Sequence, residues 1–191
     1  MTAEILPWAG HQLTLADWEA MPEDEQFRLE LVEGLLSIMP NPYSWHQHAA
    51  VKLTHRVTDQ LSRDLIALSE VEVVITEVPL TIRIPDVIVI STDVFERNPP
   101  RVAATDVLLA VEILSDGTRK VDRILKFAEY AEARIGGYWI VDLDQPASLR
   151  AFTLVGSDEP AYELSGEFTG PVTLDVAGHP VTVDPSGLTR R

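Results

Sequence analysis

Val107-Leu-Leu-Ala-Val-Glu112-Ile113, then Ser115-Asp-Gly-Thr118, then Arg119 to Ala133, then Gly136-Gly137 and Tyr138-Trp-Ile-Val-Asp142, reads as one β-α-β unit. The first and last pieces are apolar, rich in β-branched and aromatic residues, and too short for helices. Between them, Thr118 is placed to cap a helix whose apolar stripe is Val121, Ile124, Leu125, Ala128 and Ala131, and Gly136-Gly137 is placed to end it. A strand, a helix and a second strand in this order favour parallel neighbours joined by a right-handed crossover.

Working outward, Val71–Ile75, Leu80–Ile84 and Val87–Ile90 join Val107–Ile113 as strands expected to form a central sheet. Upstream, Thr14-Leu-Ala-Asp17 has the form of a capping box opening a short helix to Ala20. Arg28–Gly34 and Leu35–Met39 read as a hairpin turning at Gly34. From Ser44 to Leu68, Val51, Leu53, Val57, Leu61, Leu65 and Leu68 recur at three- and four-residue steps, which predicts one long amphipathic helix. Downstream, Leu149–Leu154, Ala161–Leu164 and Val172–Val176 lie between Gly, Pro, Ser and Asp and read as short antiparallel strands, with Arg190-Arg191 a frayed end. The fold class is therefore α/β (α+β): a mixed central sheet flanked by helices, with added antiparallel strands at the C-terminus. Residues 1–191 are expected to form a single domain, with a core over about 13–154 and a β extension over 155–185.

The composition is that of a soluble globular protein, with 46% hydrophobic and 24% charged residues. The absence of cysteine excludes disulfides, thiolate zinc sites and cysteine nucleophiles. The N-terminus lacks the basic start and apolar core of a signal peptide, and no apolar stretch approaches the roughly 20 residues of a membrane helix, so a cytoplasmic location without membrane partners is expected. Fifteen Lys and Arg against thirty Asp and Glu give a net charge of −15, which argues against broad attraction to polyanions.

Glu112 is the anomaly in its strand. An unpaired carboxylate in an apolar run costs several kcal/mol, so Glu112 must be neutralised, salt-bridged to a residue such as Arg83 or Arg101, or bound to a metal. Asp86 opens a second apolar run after Pro85, either as a turn residue or as a second acid beside the first. Two carboxylates on neighbouring strands hold Mg²⁺ or Mn²⁺, and a lysine beside them orients or activates water for in-line displacement at phosphorus. Lys126 falls on the following helix, with Asp122 and Tyr130 four residues away on either side along one face, opposite much of the apolar stripe. The plainer reading of that face is an exposed ion pair worth about 0.3–0.5 kcal/mol. Glu30 and Glu33 read as the polar face of the hairpin or as further acids of the site. His46 and His48 form an H-x-H pair, but residues two apart at a helix start point in different directions and a third ligand is lacking, which disfavours zinc.

In this order, these residues resemble the Uma-two family of putative restriction endonucleases, within the PD-(D/E)XK nuclease superfamily. The resemblance rests on Val111–Asp142, on Pro85-Asp86 as the PD element, on Glu30-Leu-Val-Glu-Gly34 as an N-terminal element, and on His46 after a Pro-rich turn. It covers about Leu13 to Leu154. It implies a restriction-endonuclease-like fold and a metal-dependent endonuclease acting on DNA, with Asp86 and Glu112 as ligands of Mg²⁺ or Mn²⁺. The superfamily's usual lysine position, two after the glutamate, is Leu114 here, and the family's displaced lysine corresponds to Lys126. Ser115, Thr118, Asp122 and Tyr130 match as loop and supporting groups, with Glu30, Glu33 and His46 as accessory residues. A homodimer is expected from the same resemblance, with the tail strands and the Trp139 region as its interface. Two alternatives stay open: a catalytically inactive nuclease-fold binding or regulatory protein, and a hydrolase of smaller phosphodiesters.

Overall fold

A computed structural model describes residues 5–22, 27–39, 41–115 and 124–189. The capping box forms as read: the Thr14 side chain accepts from the Asp17 amide, and Asp17 accepts from the Thr14 amide at 2.8 Å, starting α1 (Leu15–Ala20). The hairpin also forms, as β1 (Arg28–Val32) and β2 (Leu35–Met39), with Glu30 opposite Ser37. Its turn places Glu33 at φ +51° and Gly34 at φ +81°, the paired left-handed conformation of a tight two-residue hairpin.

The predicted long helix is shorter. α2 spans Ser44–Thr58, and Leu65–Ser69 is a strand, β3. Leu65 and Ala67 join one core while Ile66 and Leu68 pack against another, so this strand is covered on both faces. A doubly covered strand has no polar alternation, and the three- and four-residue spacing of its leucines imitates a helix.

The strands expected to form a single central sheet divide between two. β4 (Val73–Glu77) and β5 (Leu80–Arg83) join the hairpin in a five-stranded sheet ordered β2-β1-β5-β4-β7, closed by the two-residue β7 (Val102–Ala103). β6 (Val87–Ser91) and β8 (Val107–Ile113) lie in a six-stranded mixed sheet with β3, β9 (Gly137–Asp142), β10 (Ser148–Val155) and β11 (Ala161–Phe168), ordered β11-β10-β9-β8-β6-β3. The chain passes from the first sheet to the second through Ile84-Pro85-Asp86. β8 and β9 pair in parallel, as the β-α-β reading requires, while β6 runs antiparallel to β8.

Between β6 and β8 lies α3 (Thr92–Glu96), capped by Ser91, and a hairpin of β12 (Val172–Val176) and β13 (His179–Val183) follows the sheet. Leu53 and Val57 of α2 pack with Leu109, Val111 and Ile113 on one face of the sheet. Ala110 faces the other way, with Tyr130, Ile135 and Tyr138. Trp139 is buried in the first of these cores, so the proposed dimer surface at this residue does not exist.

α4 (Lys126–Glu132) carries the largest reversal. Of the predicted buried stripe, Ala131 is buried but Ile124, Leu125 and Ala128 are exposed, and Lys126 and Tyr130 are buried in their place. The helix ends through Arg134 at φ +64°, with Ile135 donating back to the Tyr130 carbonyl at 3.0 Å, two residues ahead of the glycines expected to stop it. Thr118 and Val121 lie outside the described residues, as do Asp122 and Arg190-Arg191.

The hairpin turn gives a direct test. A Cβ on Gly34 would sit 3.1 Å from the Gln12 Cβ, at a φ that L-residues adopt at a cost. Gly34→Val should lower unfolding stability by about 1–2 kcal/mol, read as a shift of the urea midpoint, and an unchanged midpoint would refute this account of the turn.

Candidate active site

The strand register brings the two acids together. Val87 pairs with Val111; Asp86 lies one residue before the first and Glu112 one after the second. Residues alternate faces along a strand, so Glu112 shares its side of β8 with Ala110, the face that α4 covers. There its Oε1 accepts from Lys126 Nζ at 2.9 Å and from Tyr130 OH at 2.7 Å. Lys126 and Tyr130 are one helical turn apart, so a single helix face supplies both donors. All three residues are buried, with Glu112 and Lys126 each 3% exposed. Lys126 therefore does not sit on an exposed helix face. Arg83 and Arg101 do not neutralise Glu112: Arg83 binds Glu30 and Glu129, and Arg101 binds Glu19 and Glu72.

Asp86 is held on three sides. Its Oδ2 accepts from the Ile113 amide at 2.7 Å and lies 3.2 Å from His46 Nε2; its Oδ1 is 3.4 Å from Arg28 Nη1, and Arg28 also donates to the Ile84 carbonyl. His46 Nε2 lies 2.9 Å from the Ile113 carbonyl as well. Both its neighbours are acceptors, so Nε2 carries a proton shared between them. The other ring nitrogen, Nδ1, is buried without a partner among the described residues. Burial alone would lower the His46 pKa, but the hydrogen bond and charge of Asp86 outweigh it and raise it. For Asp86, burial works upward, and the bond and charge of His46, with Arg28, hold its pKa below the ordinary value.

The hairpin adds the third acid. Glu30 is 1% exposed; its Oε2 takes Arg83 Nη1 at 2.9 Å, and its Oε1 takes the Ile84 amide at 3.0 Å and lies 3.3 Å from Lys126. Glu30 is thus no polar hairpin face. Its charge, opposed by burial, is held by Lys126 and Arg83, and its pKa is lowered. Arg83 completes the set with a two-point grip on Glu129 at 2.7 Å on both arms. Tyr130, buried beside the Glu112 charge, has its hydroxyl pKa raised well above the usual value, so it serves as a hydrogen donor.

The structure thus brings together Asp86, Glu112, Lys126, Tyr130, Glu30 and His46. Glu33 stays in the exposed turn, His48 is exposed and points away from His46, and Asp122 lies outside the described residues. Arg28, Arg83 and Glu129 were not foreseen as site residues. Arg83 had a visible signal, a charge inside Leu80-Thr-Ile-Arg83-Ile84, the same anomaly that singles out Glu112. Among the described residues, Asp86, Glu112, Glu30 and Glu129 are met by Arg28, Arg83, Lys126 and the His46 imidazole, and Arg28 also meets the exposed Glu70. Two recesses flank it: one of about 890 Å³ with Arg28, Trp18, Phe27 and Arg101 in its walls, and one of about 390 Å³ with His46 in its wall.

The pKa directions set a pH dependence with two signs. Glu30 and Asp86 titrate below their unfolded values in the folded protein, so the stability they contribute is present above those values and is lost as pH falls through the folded ones. His46 has the opposite sign: its contribution is complete below about pH 6.5 and is lost as pH rises through its raised folded value. Urea midpoints should fall on acidification below about pH 4, and Glu30→Gln should flatten that limb. An acid limb equally steep in Glu30→Gln would remove Glu30 from this account.

Residues 15–184 match the family model Uma2, described as "Putative restriction endonuclease". No curated protein matches the chain. Among solved structures, a protein from Anabaena variabilis described as a putative nuclease belonging to DUF820 superimposes with a TM-score of 0.66 at 19% identity, over 93% of this chain and 97% of that one. At that identity the likeness is one of fold, and it agrees with mixed sheets flanked by helices. Among the described residues no helix is long and apolar enough to cross a membrane. With its family model spanning both sheets, the carboxylate cluster between them and the added C-terminal hairpin, the chain belongs to the Uma2 family.

Proposed function

We propose that this protein is a cytoplasmic endodeoxyribonuclease that hydrolyses phosphodiester bonds in DNA with Mg²⁺ or Mn²⁺, and that Asp86, Glu112 and Lys126 are its catalytic residues. One observation carries the reading: the Glu112 carboxylate is buried across from Asp86, one position beyond the Val87–Val111 pair, and receives Lys126 and Tyr130 on a single oxygen. Family membership supports the reaction class.

Asp86 and Glu112 offer only oxygen, the donor type of a hard cation, although among the described residues no group of three or more His, Asp or Glu side chains is arranged to hold a metal. Two carboxylates with water and phosphate completing the shell is the habit of Mg²⁺, which retains several waters. Bound there, the ion would stabilise charge developing on the phosphoryl oxygens and lower the pKa of a bound water. The protein's own groups do the rest. Lys126, fixed between Glu112 and Glu30, positions the attacking water and offsets negative charge at phosphorus. Tyr130 fixes the rotamer of Glu112, and Arg83 fixes Glu30, so the lysine is set by a chain of buried contacts. Arg28 and His46 hold Asp86 and limit the repulsion between the two acids. Pairing of two copies, so that two sites meet two strands, is expected from the same family resemblance.

One observation favours a second reading, a nuclease-fold binding or regulatory protein without turnover. The carboxylates of the cluster already have protein donors, so a cation must compete with Arg28, His46 and Lys126 for them. Calorimetric titration with Mg²⁺ and Mn²⁺ separates the readings. Saturable binding abolished in Asp86→Asn is expected of the enzyme, and absence of binding selects the second reading.

Cleavage of plasmid and single-stranded DNA should fall about 10²–10⁴-fold in Glu112→Gln and in Lys126→Ala relative to wild type, with folding checked by circular dichroism. Equal activity in all three proteins would remove these residues from the mechanism.

A further inference from the structure

We infer that Tyr43 and Trp45 form a stacking platform for an unpaired nucleobase of the substrate strand, so that single-stranded or locally opened DNA is preferred over intact duplex. This rests on the nuclease reading above and adds the form of its substrate. Tyr43 and Trp45 are 82% and 69% exposed, whereas Trp18 and Trp139 are buried. Large aromatic side chains left in water two positions apart give up burial energy that a ligand can recover.

Their place is specific. Both line the recess of about 390 Å³, together with His46, Leu114, Leu143 and Asp144. His46 is the residue whose Nε2 holds Asp86 and the Ile113 carbonyl, and Leu114 follows Glu112 by two. The recess therefore abuts the carboxylate cluster, with His46 standing between it and Asp86. A nucleotide with its phosphate at Asp86 and Glu112 has a neighbouring base within reach of it.

The net charge weighs less against a single strand than against a duplex. At −15, the protein is poorly suited to follow a long duplex through phosphate contacts, whose strength comes from Lys and Arg neutralising the backbone. Stacking on an aromatic face needs no net charge and accepts any base. A base inside a duplex is already stacked on both faces, so Tyr43 and Trp45 can take one only when it is unpaired.

The test uses the full-length protein with Ca²⁺ in place of Mg²⁺, titrated with an end-labelled oligothymidylate of about 12 nucleotides, within the range of single-strand sites, and with a duplex of equal length. Anisotropy and intrinsic tryptophan fluorescence are followed together. The single strand should bind more tightly and quench the fluorescence, and Trp45→Phe should keep binding while losing most of the quench. Tyr43→Ala and Trp45→Ala should each weaken single-strand binding about 5- to 150-fold.

Unchanged affinity in the double alanine variant, tighter binding of the duplex, or quenching that survives in Trp45→Phe would overturn the inference. So would a change of oligomeric state in Trp45→Ala without a change in binding, which would assign this face to a second copy of the chain. Cleavage assays on both DNAs keep the two ideas apart. Turnover that is indifferent to Tyr43 and Trp45 defeats the platform and leaves the nuclease reading intact. Trp45-dependent binding without turnover on any DNA does the reverse.

Discussion

The contact on which the rest depends is the one made to Glu112 Oε1 by Lys126 and Tyr130. A carboxylate placed in the middle strands of a mixed sheet is tolerated only if donors reach it inside the protein, because removing one partner of such a buried group costs several kcal/mol. The donors come from α4, and that requirement sets the rotation of the helix. Lys126 and Tyr130 turn inward, and Ile124, Leu125 and Ala128 turn out. Hydrophobic patterning is overruled locally by electrostatics, at the point where the chemistry is proposed.

The second constraint is the join between the sheets. Arg83 ends β5, Asp86 precedes β6, and Ile84-Pro85-Asp86 carry the chain from one sheet to the other. Arg83 reaches Glu30 on the hairpin and Glu129 on α4; Ile84 donates its amide to Glu30; Asp86 accepts the amide of Ile113. Hairpin, α4 and both sheets are thus tied through one buried polar network rather than through apolar packing alone. Such a network specifies a unique arrangement because each member left unpaired would be costly. It also anchors two of the proposed site residues, Glu112 on β8 and Lys126 on α4, with Asp86 held at the residue before β6.

Much of the fold was legible. The Thr14 capping box, the Gly34 hairpin, and the strands from Val107 and Val172 appear where short-range chemistry put them, since caps, left-handed turns and β-branched runs are decided within a few residues. Three features were not. Leu65–Ser69 imitates a helix because burial on both faces erases alternation. The division of four strands into two sheets depends on pairing partners far apart in sequence. The face of α4 was rotated from the expected one, with Ala131 inside as read but Ile124, Leu125 and Ala128 outside, because its stripe was judged from apolar spacing without the buried acid it must satisfy.

For the candidate site, the sequence by itself determined that Glu112 needed a partner, and it pointed to Asp86 and Lys126 through the order of acids and lysine along the chain. Those are statements about residue type and local environment, and a charge in an apolar strand is visible without a structure. Only the tertiary structure decided who the partners are. Tyr130 and Lys126 meet Glu112 because helix and strand pack face to face. Arg83 goes to Glu30 and Glu129 and not to Glu112, Glu33 stays outside, and His46 reaches Asp86 from the start of α2. Each is a choice among chemically equivalent pairings, and the distance between side chains, which selects one of them, is fixed by sheet register and helix rotation and not by the residues alone.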